Sequence, residues 1–158
     1  MARKVKASAL AAVATDGADF LHGSNKLLSP DVLDGGLGDD MLKSYIGDDA
    51  LIGGAGADTF IFDWYDSNAG ADFGVDRIED FNAAEGDKID LSHATHYSEA
   101  DMAVAVSRAV NASDVTLTPE AGSGTHIHVE VVAGDPTWDI DIVDVLGTVT
   151  LADFIFAA

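Results

Sequence analysis

Residues 35–61 run GGLGDDMLK, SYIGDDALI, GGAGADTFI, three nine-residue units in unbroken succession; residues 26–34, KLLSPDVLD, keep the same frame. The sixth position is aspartate in all four units: Asp31, Asp40, Asp49 and Asp58. The eighth is Leu33, Leu42, Leu51 or Phe60. A short fixed period means that each unit is one structural step, which buries its apolar side chain only by stacking on its neighbours. Each unit divides into a polar, glycine-rich turn and a short extended segment. Gly36, Gly38, Gly47, Gly54 and Gly56 stand where the backbone must bend sharply and approach closely. In the extended part, position eight points inward, and position seven (Val32, Met41, Ala50, Thr59) faces the other way by strand alternation. Two units are imperfect: residues 26–34 carry Ser29 and Pro30, and residues 44–52 carry Ser44 and Tyr45 in place of the glycine pair. Upstream, TDGADFLHG at 15–23 sets Asp19 and Leu21 in the same relation, displaced by an insertion of three residues.

The pattern G-G-x-G-x-D-x-U-x resembles the calcium-binding nonapeptide of RTX (hemolysin-type) proteins. That resemblance implies six turn residues and three strand residues per unit, with two units to each coil of a parallel β-roll. Residues eighteen apart then stack, Asp31 on Asp49 and Asp40 on Asp58. Strands lie about 4.8 Å apart, where two carboxylates repel by about 3 kcal/mol at an effective dielectric of 20. A hard divalent cation removes that repulsion and takes carboxylate and carbonyl oxygens as ligands. The candidate calcium-binding residues are therefore Asp19, Asp31, Asp40, Asp49 and Asp58, with carbonyls freed by Gly36, Gly38, Gly47, Gly54 and Gly56. Without an ion, Asp31 and Asp49 would form ordinary turns.

At 158 residues the chain suits one domain, and its 47% hydrophobic content suffices for a core. Twenty-eight acidic residues against eight basic ones give a net charge of −20, which disfavours nucleic acid and anionic membranes. Such a chain repels itself, so metal-coupled folding is expected. Modules of this kind outside the cell bind calcium with Kd of about 10⁻⁴–10⁻³ M, which predicts a loose chain in a low-calcium cytosol. Cysteine is absent, so neither disulfides nor thiolate metal sites contribute. No apolar run approaches a membrane span. The start, MARKVKASALAAVA, imitates a secretory signal, but its short alanine-rich stretch reads as an N-terminal helix or linker over 1–14. The β-roll is expected over 15–62 and a less regular β region over 63–158.

In that region, DRIEDF at 76–81 and GDKIDLS at 86–92 follow GGAGADTFIF. In this order they are similar to the C-terminal domain of serralysin-type metalloproteases and to the R-modules of alginate (mannuronan) C5-epimerases. The resemblance implies an all-β fold, a parallel β-roll packed on a C-terminal antiparallel sheet. It adds Asp76 and Asp80 as calcium ligands where the two parts meet, against the alternative that Asp76 pairs with Arg77 or Lys88. It also implies export by a type I secretion exporter, through an uncleaved signal with the character of Asp153-Phe154-Ile155-Phe156. Ser98 with Asp101 could start a helix, or 102–110 could be a strand. Val115, Ile127, Val129, Ile140 and Ile142 mark alternating antiparallel strands, and residues 148–151 read as a last one.

No HExxH or G-x-S-x-G is present, so nothing marks a catalytic centre. The functional expectation is a non-catalytic, secreted calcium module whose ion-coupled folding stabilises an exported protein. The alternative is a polysaccharide-binding module accessory to a carbohydrate-modifying enzyme, with Trp64 and Tyr65 as a sugar platform. The negative charge opposes a polyanion such as alginate and leaves a neutral glycan. His93 with His96, and His126 with His128, have spacings that can chelate a transition metal, but such pairs are common by chance and read first as surface histidines.

Overall fold

A computed structural model describes residues 3–6, 12–24, 30–45, 47–62, 74–92, 112–119, 124–129, 140–146 and 148–156. Among the described residues thirteen strands follow one another: β1 (Arg3–Lys6), β2 (Ala12–Val13), β3 (Asp19–His22), β4 (Val32–Asp34), β5 (Met41–Lys43), β6 (Ala50–Ile52), β7 (Thr59–Ile61), β8 (Val75–Ile78), β9 (Lys88–Asp90), β10 (Val115–Pro119), β11 (Gly124–Val129), β12 (Ile140–Leu146) and β13 (Phe154–Ile155). Among the described residues there is no α-helix. The chain is all-β, and its first nine strands form a parallel β-roll.

Successive strands alternate between two sheets. One has the order β1-β3-β5-β7-β9-β13, the other β10-β11-β12-β8-β6-β4-β2. Units eighteen residues apart stand in register, Val32 beside Ala50 and Met41 beside Thr59. Each strand from β3 to β9 gives one fully buried apolar side chain to the interior. Leu21, Leu33, Leu42, Leu51, Phe60, Ile78 and Ile89 are fully buried between the sheets. Each contributes about 1.5–3 kcal/mol of apolar burial. Position seven faces outward as expected, with Val32 and Met41 exposed.

The roll is longer than 15–62 at both ends. Residues 3–6 and 12–13, expected as helix or linker, are strands that pair in parallel with β3 and β4. At the other end β8 and β9 add two more rungs, pairing with β6 and β7. The antiparallel strands β10–β12 extend the second sheet edge-on, because β12 pairs in parallel with β8. Phe154–Ile155 closes the first sheet against β9. The stretch 148–151 is not a strand. Thr150 donates its N–H and its hydroxyl to Asp153 Oδ2 at 2.9 and 2.8 Å, starting a 3₁₀ turn at Leu151–Asp153. Ser98, 102–110, His93, His96, Trp64 and Tyr65 lie outside the described residues.

Candidate metal centre

The sixth-position aspartates turn inward at the mouth of each turn, and their carboxylates run up the roll as two ladders. On one side Asp19 N–H donates to Asp40 Oδ1 at 2.7 Å and Asp40 N–H to Asp58 Oδ1 at 2.9 Å. Asp58 N–H donates to Asp87 Oδ1 at 3.0 Å. On the other side Asp31 N–H donates to Asp49 Oδ1 at 2.8 Å, and Asp49 N–H to Asp76 Oδ1 at 3.0 Å. Each carboxylate therefore ties its own coil to the one before it through a single oxygen. The first rungs are closed by Thr15, whose N–H and hydroxyl reach Asp19 Oδ2, and by Ser24 N–H on Asp31 Oδ2.

The other oxygens are left over. Asp31 Oδ1, Asp40 Oδ2, Asp49 Oδ2 and Asp58 Oδ2 are buried and have no hydrogen-bond partner. A buried ionised oxygen without a partner is costly, and four of them in repeated positions are donors that suit a hard cation. The glycines define the space around these oxygens. A Cβ on Gly35 would stand 2.6 Å from Asp40 Oδ2 and 2.5 Å from the Gly53 carbonyl oxygen, and one on Gly53 would overlap Asp58 Oδ2. Gly36, Gly38, Gly47, Gly54 and Gly56 all have positive φ. No three His, Asp or Glu side chains converge on one point among the described residues. An ion here would need backbone carbonyls to complete its shell, as hard cations accept.

Electrostatics agree with that deficit. Burial, against the backbone N–H bond from Asp31 and with the neighbouring Asp31 and Asp48 charges, pushes Asp49 up to about 7. Burial, with the Asp87, Asp40 and Asp80 charges, pushes Asp58 to about 6. Asp40, Asp76 and Asp87 are raised for the same leading reason. Asp153 moves the opposite way. Burial there is outweighed by the Thr150 donors and the Lys88 ammonium, 3.3 Å away. Asp153 has an ammonium group beside it, whereas burial dominates at Asp40, Asp49, Asp58, Asp76 and Asp87.

Two further expectations resolve differently. Asp76 is buried in a ladder and also bonds Ser44, while Arg77 pairs with Glu79 and Lys88 with Asp153. Asp80 lies outside both ladders. Its two oxygens accept the N–H groups of Gly53 and Gly54 at 2.9 and 2.8 Å, closing the last glycine turn. Asp87 went unnoticed in the sequence, yet it is the top rung. Its signal is Asp-x-Ile at 87–89, the same local triplet as Asp58-x-Phe60. Asp39 and Asp48, the fifth-position acids, accept Ala57 and Val75 N–H groups on the exposed side of the turns.

The family described as "Peptidase M10 serralysin C terminal" matches residues 17–156. Among solved structures, the solution structure of the AlgE6R3 subunit of the Azotobacter vinelandii mannuronan C5-epimerase superposes with a TM-score of 0.58 at 24% identity. The superposition covers 99% of this chain and 80% of that one. At that identity the likeness concerns the fold. No curated protein matches the chain.

Proposed function

We infer, for a chain that belongs to the peptidase M10 serralysin C-terminal family, that the two aspartate ladders bind calcium and that this binding drives folding of the roll. The observation that carries this reading is the set of four buried, partnerless carboxylate oxygens at Asp31, Asp40, Asp49 and Asp58. These oxygens, with turn carbonyls beside Gly36, Gly38, Gly47, Gly54 and Gly56, would hold the ions. Asp19, Asp76 and Asp87 would continue the ladders, with Asp80 sealing the last turn. Bound calcium supplies the positive charge that the interior lacks. The chain's own part is to fix each carboxylate through one bonded oxygen, Oδ1 in Asp40, Asp49 and Asp58 and Oδ2 in Asp31, and to keep water out with the stacked apolar side chains.

The module is non-catalytic in this reading and works outside the cell. A type I exporter would move it as a loose, self-repelling chain, and external calcium would close the roll. The Asp153–Phe156 tail would serve both as export signal and as the last strand. Circular dichroism of the full chain with calcium and with chelator tests the core claim. A β-sheet spectrum that collapses on chelation is expected, and identical spectra would overturn it.

One observation favours glycan binding as a second role. The register of the first sheet sets Lys4 beside Phe20, Lys6 beside His22, and His22 beside Lys43. The Lys43 ammonium lies 4.7 Å from the Tyr45 ring centroid. With Arg3 and Lys88, this sheet carries five of the eight basic residues. Basic and aromatic residues gathered on one sheet suit an anionic sugar chain better than the net charge suggests. NMR titration with alginate oligomers should shift Phe20, Lys43 and Tyr45 signals if this holds; shifts spread evenly over the molecule would refute it.

A further inference from the structure

We propose that His126 and His128 form a chelating site for a first-row transition-metal dication, Zn²⁺ or Cu²⁺, on the outer face of β11, chemically separate from the calcium ladders. Ile127 and Val129 are fully buried. Strand alternation therefore turns both histidines to the opposite face, and their buried neighbours hold the strand in place. The two rings are half-exposed, with centroids 6.5 Å apart and planes at 74°. Two imidazoles sharing a tetrahedral ion at about 2.0–2.1 Å would put their centroids roughly 5 Å apart. An approach of about 1.5 Å between the rings would close the pair on one ion.

The pairing of β11 with β12 adds a second feature. The register passes from Thr125 opposite Val145 to Ile127 opposite Ile142. Opposite His126, β12 therefore spends two residues, Val143 and Asp144. This β-bulge sits at the histidine pair; bulges commonly re-aim side chains near functional sites. Asp141 stands directly opposite His128. The donors of the site are the two imidazole rings. Imidazole suits zinc and copper, whereas the ladders offer only the oxygens that calcium prefers.

The test is a Zn²⁺ titration of the full chain at saturating calcium, followed by calorimetry and by the histidine ring signals in NMR. One ion per chain should bind, with the His126 and His128 signals moving together and ahead of those of His22, His93 and His96. His126→Gln and His128→Gln should each weaken binding by on the order of tenfold or more, the scale on which even supporting residues of metal sites act. The double variant should abolish it, and His93→Gln with His96→Gln should leave it intact. The calcium-loaded circular dichroism spectrum, expected to be unchanged, separates lost binding from lost folding. Zinc uptake by the folded double variant equal to that of the parent would overturn the proposal. So would the absence of stoichiometric uptake by the parent chain, or first movement of the His93 and His96 signals.

Discussion

Tyr45 holds the turn position that Gly36 and Gly54 hold in their units, and its φ of +78° is in the left-handed region. That conformation costs a non-glycine residue about 1 kcal/mol or more. Its ring is held by Lys43 and meets His22 edge-on at 6.0 Å; an exposed cation–π contact contributes about 0.5–1 kcal/mol. The two effects nearly cancel, so Tyr45→Gly should change stability by less than about 1 kcal/mol in calcium. Gly54→Ala should cost more than about 2 kcal/mol, because φ is +92° and the new Cβ would meet the Gly36 carbonyl. Urea unfolding of both variants at saturating calcium checks the contrast, and equal losses would contradict it. Asp58→Asn isolates the charge. Its amide oxygen can still accept the Asp40 N–H, while a neutral group replaces the partnerless Oδ2. Thermal melts should show the variant more stable than the parent in chelator and less stabilised by added calcium. A variant that loses stability equally in both conditions would show that the oxygen serves packing alone.

The ladder, as an element, predicts that protons can stand in for calcium. The folded-state values of Asp49 and Asp58 are raised from 3.8 to about 7 and about 6. A raised carboxyl stabilises the fold fully below its unfolded value, and that contribution is lost as pH rises through the folded value. In chelator, thermal stability should therefore increase as pH falls from about 7 towards about 4. Calcium needs the ionised form, so its added stabilisation should shrink over the same window. Melting curves across pH, with and without chelator, measure both slopes; a metal-free midpoint that falls on acidification would refute the ladder's electrostatics. The regular rungs were legible because period, aspartate and leucine agree over residues 26–61. Beyond them the spacing changes: Asp49 bonds across 27 residues to Asp76, and Asp58 across 29 to Asp87. Only the triplets Asp76-Arg77-Ile78 and Asp87-Lys88-Ile89 persist there. A nine-residue period cannot find Asp87, whereas the triplet can. Residues 3–6 read as helix or linker because their strand state comes from pairing with β3, and tertiary pairing overrides weak local propensity. Thr150 with Asp153 was a visible capping pair, hidden inside an apparent strand.

For the whole molecule, charge and architecture pull against each other. A chain at −20 builds its interior from stacked leucines but threads carboxylates along both margins of that core. The apolar stack alone would close the roll, and the acids at the coil margins would open it. On the proposed reading divalent cations would reconcile the two in proportion to the number of coils, since each added rung brings one apolar side chain and one aspartate together. The AlgE6R3 structure shares the architecture at 24% identity. The most direct measurement is a high-resolution crystal structure of the full chain grown in calcium. The account predicts calcium ions at about 2.3–2.6 Å from Asp31 Oδ1, Asp40 Oδ2, Asp49 Oδ2 and Asp58 Oδ2. An ordered roll in which those four oxygens meet only water or protein donors would contradict it.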